Sequence, residues 1–366
     1  MAHMTAPQPF MPPRRLECVL VTGGAGFIGS AFIRSLFKNA SGFTGRIVNL
    51  DALTYAGNPE NLAGAVDEAR YTFVKGDIRD QALVEQLLTT HGVDAIVHFA
   101  AESHVDRSIH GPRDFIETNV LGTFALLEAV RARRGTGHEV HFHHVSTDEV
   151  FGSLGDTGFF TEETAYDPRS PYSASKAASD HFVRAYAHTY GISTTLSNCS
   201  NNYGPFHFPE KLIPLMILNC FEGKPLPVYG DGQNIRDWLY VDDHAEAIWT
   251  ILQRAAPGTT WNVGGRNEWK NLDLLHLLIS VVARLTKKNE ASLQKLITFV
   301  KDRPGHDRRY AIDCMKMERE LGWTPRHDFK RGLETTVQWY LDHPEWVQNV
   351  KSGAYKTWLD RNYQAR

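Results

Sequence analysis

The stretch that most restricts the fold is Cys18-Val-Leu-Val-Thr22 running directly into Gly23-Gly-Ala-Gly26-Phe-Ile-Gly29. The first five residues are an apolar run with the length of a buried strand, and Ser30-Ala-Phe-Ile-Arg-Ser-Leu-Phe37 then takes up helical periodicity. Gly23, Gly26 and Gly29 carry the G-x-x-G-x-x-G spacing between them. Without side chains there, the backbone turns tightly, meets a pyrophosphate and packs the helix on the strand, with the helix N-terminus aimed at the anion. Alone such a pattern is weak; here the strand before it and the helix after it are both in place.

The strands that follow extend the same plan. Ile47-Val-Asn-Leu-Asp51 reads as a second strand ending in an acid, 22 residues beyond Gly29. An acid there suits the hydroxyls of an adenosine ribose and disfavours a 2′-phosphate, so NAD rather than NADP is expected; a turn-capping aspartate is the plainer alternative. Residues 71 to 78 read as a third strand ending at Asp77, beside an adenine, and residues 94 to 101 as a fourth that closes in small residues. His141-Phe-His-His-Val-Ser146 is the fifth and residues 192 to 198 another. Strands alternating with helical patterns imply an α/β fold, a right-handed, doubly wound parallel Rossmann sheet. His141, His143 and His144 invite a metal reading, but 143 and 144 point to opposite faces of a strand and no acidic ligand set accompanies them, so no metal is expected.

Chemistry concentrates between Ser146 and Lys176. Strand five delivers Thr147, Asp148 and Glu149 at its carboxyl end, the edge at which open α/β sheets bind ligands. Ser170 reads as a helix cap and Pro171 as the first helical residue, which places Tyr172 and Lys176 one turn apart on one face. A phenol titrates near pH ~10. An ammonium one turn away favours the phenolate, so Tyr172 could accept a hydroxyl proton while a hydride leaves. A Tyr-x-x-x-Lys spacing also occurs as a solvated surface pair; the glycine loop and the two acids argue for catalysis.

Gly191 ends that helix, and from Asn201-Asn-Tyr-Gly-Pro205 the chain becomes richer in Pro, Gly and aromatics. The expected division is a tail at 1–16, a dinucleotide-binding domain at 17–200 with a returning segment near 236–265, a smaller mixed α/β substrate lobe at 201–345, and an extension at 346–366. Lys211, Arg236 and Arg303 fall on the loops of the second lobe, where cations suit a diphosphate. A net charge of −3 excludes a general attraction to nucleic acid or an anionic membrane. The four cysteines, Cys18, Cys199, Cys220 and Cys314, form no C-x-x-C pair, and no apolar run has the length of a membrane span, so a cytoplasmic setting is the default.

Taken together, these residues resemble the extended short-chain dehydrogenase/reductases and, within them, the dTDP-glucose 4,6-dehydratases. The likeness runs from about Cys18 to Tyr340. It rests on the glycine loop, Asp51-Ala-Leu-Thr-Tyr-Ala-Gly-Asn58, Ala100-Ala-Glu-Ser-His-Val-Asp106, Ser146-Thr-Asp-Glu-Val150, Tyr172-Ser-Ala-Ser-Lys176, Ser200-Asn-Asn-Tyr-Gly-Pro205 and Arg303-Pro-Gly-His-Asp-Arg-Arg-Tyr310. Phe151 departs from the family, where a tyrosine is common. The resemblance implies NAD+ on Gly23, Gly26, Phe27, Ile28 and Gly29, with Asp51, Ala52, Leu53 and Thr54 at the ribose and Asp77-Ile78 at the adenine. Phe99, Ala100, Ala101, Ser103, Thr118, Tyr172, Lys176 and Asn202 would surround the nicotinamide half. For the sugar nucleotide it implies Ser103, Thr147, Asn201, Lys211, Leu212, Pro227, Val228, Tyr229, Arg236, Asn271 and the run Asp302, Arg303, Pro304, Gly305 and His306. The implied catalytic set is Thr147, Asp148, Glu149, Tyr172 and Lys176, with Tyr172 taking the 4-hydroxyl proton, Glu149 the C5 hydrogen, and Asp148 protonating the departing 6-hydroxyl. A homodimer through the 112–134 and 171–190 helices is also implied. The alternatives are a UDP-glucose dehydratase, a nucleotide-sugar 4-epimerase, a UDP-glucuronate decarboxylase, or a non-catalytic NAD-sensing protein.

Overall fold

The computed structural model describes residues 13–38 and 41–351. Most of the expected N-terminal tail and residues 352–366 of the expected extension lie outside the described residues. In chain order the first lobe contains β1 (Cys18–Thr22), α1 (Phe27–Phe37), β2 (Arg46–Asp51), β3 (Tyr71–Lys75), α2 (Gln81–Thr90), β4 (Ala95–His98), α3 (Val105–His110), α4 (Pro112–Phe115), α5 (Thr123–Gly135), β5 (His141–Thr147), α6 (Pro171–Tyr190) and β6 (Thr194–Cys199). There follow β7 (Asn201–Tyr203), α7 (Leu212–Glu222), β8 (Leu226–Tyr229), β9 (Ile235–Tyr240), α8 (Val241–Arg254), β10 (Thr259–Val263), β11 (Glu268–Lys270), α9 (Asn271–Thr286), α10 (Glu290–Gln294), β12 (Ile297–Val300), α11 (Phe329–Asp342) and α12 (Pro344–Val350).

Seven strands form one sheet in the order β10-β6-β5-β4-β1-β2-β3, every pairing parallel. The order 3-2-1-4-5-6 within it is the doubly wound arrangement whose strand direction of travel reverses between β1 and β4, so a crevice opens there at the carboxyl ends. Apolar residues on both faces explain the absence of alternation in these strands: β1 is buried throughout, one face against α2, α5 and α6 and the other against α1 and α8. Helix α8 belongs to the second face because Ala245, Ile248, Trp249 and Leu252 pack with Val19, Val21, Phe32 and Ile33. Strand β10 then closes the sheet beside β6.

The second lobe is built on a separate apolar core that joins α7, α9 and α11 to β8 and β9. Its sheets are small: β11-β9-β7, and β12 beside β8. Two details depart from the sequence reading. Strand β3 stops at Lys75, leaving Asp77 in the loop beyond it. Helix α4 continues in helical backbone through a π-type stretch, Ile116–Gly122, into α5. Such a widened turn re-aims side chains: Thr118 lines the crevice, and the buried Asn119 donates to the Ser175 hydroxyl at 2.8 Å.

Candidate active site

A cavity of about 390 Å³ occupies the crevice. At one end lies the glycine loop. Gly23 has φ +71°, and a Cβ there would stand 2.6 Å from the Ala100 amide nitrogen; one on Gly29 would stand 2.3 Å from the Gly23 carbonyl oxygen. Neither position accepts a side chain. Helix α1 starts without a side-chain cap or an acid in its first turn, so its leading amides face the cavity free of an internal anion. Asp51 accepts from the amides of Ala25 (2.9 Å) and Leu53 (2.8 Å), which makes it the turn-capping aspartate and a cavity-lining carboxylate at once. This cradle fits a dinucleotide pyrophosphate and ribose.

The chemistry stands at the other end. Strand β5 finishes at Thr147, and a single 3₁₀ turn, Asp148–Phe151, swings both acids into the cavity. Thr147 Oγ1 accepts from the Glu149 amide at 3.3 Å, which caps the turn. Helix α6 opens with a reciprocal Ser170–Ser173 capping box and Pro171 in its first turn, and ends on Gly191 in the left-handed region. That start places Tyr172 and Lys176 on the buried face, lining the same cavity as Asp148 and Glu149.

The two acids have different surroundings. Burial and then the adjacent Glu149 push Asp148 well above the ordinary carboxylate range. Burial also raises Glu149, but Arg303, Arg236 and Lys211 oppose it. Asp148 therefore favours a retained proton more strongly than Glu149, whose rise three cations oppose. Tyr172 differs from the sequence expectation. Burial, followed by Glu149, raises its phenol well above the usual range, with a hydrogen bond to Thr147 working against them. Lys176 turns its ammonium to the Val145 carbonyl oxygen at 2.9 Å instead. The physical reason is packing: α6 lies against β5, which brings the ammonium to that strand's backbone.

Of the expected residues, Gly23, Gly26, Phe27, Ile28, Gly29, Asp51, Ala52, Thr54, Asp77, Ile78, Phe99, Ala100, Ala101, Ser103, Thr118, Thr147, Asp148, Glu149, Tyr172, Lys176, Asn201, Asn202, Lys211 and Leu212 all line the cavity. Leu53 is off its wall, at φ +53°. Pro227, Val228, Tyr229, Arg236, Asn271 and residues 302–306 also lie outside that lining. Val228 packs in the second core. Arg236 is stacked 4.1 Å over Tyr310 and donates to the Asp307 carbonyl oxygen at 2.9 Å, yet its charge reaches Glu149. The three histidines of β5 are hydrogen-bonded within the sheet: His141 and His143 to Ser193, Thr195 and Ser197, and His144 towards α6.

Sequence reasoning missed Glu102, Tyr55, His207 and Glu210, which also line the cavity. Arg107 ties two of them together, 2.8 Å from Glu210 and 3.9 Å above the Tyr55 ring. Tyr55 and Glu102 sit inside motifs already singled out, so only their roles were hidden. His207 and Glu210 come from a loop without local signal and are brought in by the meeting of the lobes.

Residues 20–336 match the family model described as GDP-mannose 4,6 dehydratase. The chain is 52% identical over 362 residues to dTDP-glucose 4,6-dehydratase 1 of Escherichia coli (strain K12), covering 95% of this chain and 99% of that one. It is 55% identical over 343 residues to the dTDP-glucose 4,6-dehydratase of Xanthomonas campestris pv. campestris (strain B100), covering 92% and 97%. Among solved structures, the dTDP-glucose 4,6-dehydratase DesIV of Streptomyces venezuelae, crystallised with NAD bound, superposes with a TM-score of 0.84 at 46% identity, over 91% of this chain and all of that one. With the glycine cradle, the acid pair and the Tyr172–Lys176 helix in one cavity, the chain belongs to the nucleotide-sugar 4,6-dehydratase family that holds the dTDP-glucose 4,6-dehydratases.

Proposed function

We propose that the protein dehydrates dTDP-glucose to dTDP-4-keto-6-deoxyglucose with NAD+ as a resident cofactor. The observation that carries this is the burial of Asp148 and Glu149 in one cavity with Tyr172, in surroundings that set the two acids apart. The loop Gly23–Gly29 and the start of α1 would hold the pyrophosphate, Asp51 to Thr54 the ribose, and Asp77-Ile78 the adenine. Phe99 to Ser103, Thr118, Lys176 and Asn202 would enclose the nicotinamide half. When bound, the nicotinamide supplies a two-electron carrier that takes hydride from sugar C4 and gives it back at C6.

The chain's own residues do the rest. Tyr172 takes the proton of the 4-hydroxyl, and the positive charges of Lys176 and the nicotinamide ring make its phenolate accessible. The resulting ketone acidifies the hydrogen at C5. Glu149, kept within reach of ionisation by Arg303, Arg236 and Lys211, removes it. Asp148, which holds its proton, delivers it to the departing 6-hydroxyl, and water leaves. Glu149 then returns its proton to C5, and the proton gained by Tyr172 balances the one lost by Asp148, so exchange with solvent resets both. An epimerase or a decarboxylase on this scaffold uses the Tyr-Lys pair but has no need of an acid and a base for losing a 6-hydroxyl.

Ser103, Thr147, Asn201, Lys211, Leu212 and the loops at 227–229, 236, 271 and 302–306 would hold the sugar nucleotide, the latter as a second layer. The two-lobe division and a homodimer belong to the same reading. Ile116, Leu121, Phe124, Phe182 and Tyr190 are exposed apolar residues on the 116–135 and α6 helices, the faces expected to meet a second copy. Four free, buried thiols and the lack, among the described residues, of any helix long and apolar enough to cross a membrane support a cytoplasmic setting. The test is incubation with NAD+ and dTDP-, UDP- or CDP-glucose, followed by the alkaline ultraviolet absorbance of a 4-keto sugar. Product from dTDP-glucose in preference to the others is expected; none from any of the three overturns the reading.

A further inference from the structure

The ammonium of Lys176 is buried behind the reacting groups. Lys176 is 4% exposed. A charge so placed is costly unless it is paired. Its direct neighbours do not pair it. The Val145 carbonyl oxygen at 2.9 Å and the His144 ring, with Nε2 at 3.4 Å, carry no negative charge. Burial holds His144 uncharged. His98 on β4, whose ring stands 5.2 Å from that of His144, is held neutral in the same way. Cys199 on β6 is pushed up to about 12 and remains a thiol. Tyr172, one turn back on α6, is raised by burial and keeps its phenol proton, so it supplies no negative charge either.

One turn forward on the same helix lies Asp180. Its Oδ1 is 3.2 Å from the same His144 Nε2. Its Oδ2 receives the Ser146 hydroxyl and the Tyr166 hydroxyl, each at 2.8 Å. Arg184 donates to the Tyr166 oxygen at 2.9 Å. A fully buried carboxylate with two hydroxyl donors on one oxygen is a prepared anion site. We propose that Asp180 is a positioning residue for the reaction, the buried counter-ion that keeps Lys176 charged behind Tyr172. Burial raises Asp180, while Lys176, Ser146, Tyr166 and Arg184 all pull it back towards the carboxylate. For Lys176 burial is the lowering influence and Asp180 the leading one that raises it. Asp180 touches neither sugar nor cofactor; it acts through Lys176, and the role rests on the dehydratase reading for the step it serves.

The experiment uses Asp180→Asn, which keeps the size and leaves an oxygen to accept from Ser146 and Tyr166. With NAD+ bound, the appearance of reduced cofactor on mixing with dTDP-glucose is followed across pH. The acid limb of that rate is expected to move alkaline by about one unit, a loss of about tenfold near neutrality that narrows as pH rises. Independently, the isotope-labelled Lys176 side chain, read by NMR and assigned with Lys176→Met, is expected to lose its proton at lower pH in the variant. Tyr166→Phe, which removes one donor to Asp180, is expected to shift both readouts the same way by less, and serves if Asp180→Asn does not fold. A rate lowered by one factor at every pH, an unchanged rate, or an unmoved Lys176 titration overturns the proposal. Wild-type protein that makes no 4-keto sugar would instead defeat the dehydratase reading, and the Lys176 titration would still decide the counter-ion.

Discussion

At the scale of residues, loss of the 6-hydroxyl depends on two neighbouring acids behaving differently. Asp148 must carry a proton to expel the hydroxyl, and its position is raised well above the ordinary range. Dehydration is therefore expected to fail on the alkaline side, as pH rises through that raised value. Glu149 must be ionised, so the acid side fails as pH falls through its own, which the three cations hold lower than burial alone would. The pH profile of kcat should be a bell, and Asp148→Asn should lower its top by about a hundredfold while flattening the alkaline limb. A variant that keeps that limb would show that another group donates the proton. Tyr172→Phe is expected to bind the sugar nucleotide but form no reduced cofactor on mixing, measured by absorbance. Much of this was legible, because Tyr172 and Lys176 share a face by spacing and the two acids stand at a strand's carboxyl end. What was not legible is where the ammonium turns: a four-residue spacing predicts a neighbour for Tyr172, whereas packing on β5 gives Lys176 the Val145 carbonyl.

At the scale of elements, the ends of helices and strands set the site. Helix α6 begins where Ser170 and Ser173 exchange hydrogen bonds, and that start fixes the rotation that buries Tyr172. Ser170→Ala is expected to destabilise the protein by about 1 kcal/mol, read as a lower midpoint in urea, with a smaller effect on turnover. Gly29→Ala meets the Gly23 carbonyl, so α1 must move off the loop; NAD+ affinity, measured by fluorescence quenching, is expected to fall more than tenfold. The strands of the parallel sheet were readable as apolar runs because both faces are covered. The π-type stretch at 116–122 was not, since it costs one residue of register inside an otherwise ordinary helical pattern. Nor was α12, whose few turns are held by Trp346 in the core and by its indole N–H on Asn61 at 2.8 Å.

At the scale of the whole molecule, two lobes close one crevice. The second lobe reaches back through α12: Trp346 donates to Asn61, and Asn61 donates to the Ala25 carbonyl inside the glycine loop at 2.9 Å. Trp346→Ala is expected to cost about 3 kcal/mol of stability and to weaken NAD+ binding with it, because the strut ends on the cofactor cradle. Phe124→Glu, placed on the exposed face beside Phe182, is expected to give a monomer by sedimentation. The sequence places Lys211, Arg236 and Arg303 on separate loops as cations suited to a diphosphate; in the assembled lobes all three charges oppose the rise of Glu149. That convergence is long-range and leaves no local pattern to read. The most direct test is Glu149→Gln, mixed with NAD+ and dTDP-glucose and followed by absorbance and product mass. Reduced cofactor should build up and persist on the enzyme while the sugar nucleotide loses no water. Turnover to the 4-keto-6-deoxy product near the wild-type rate would contradict the account.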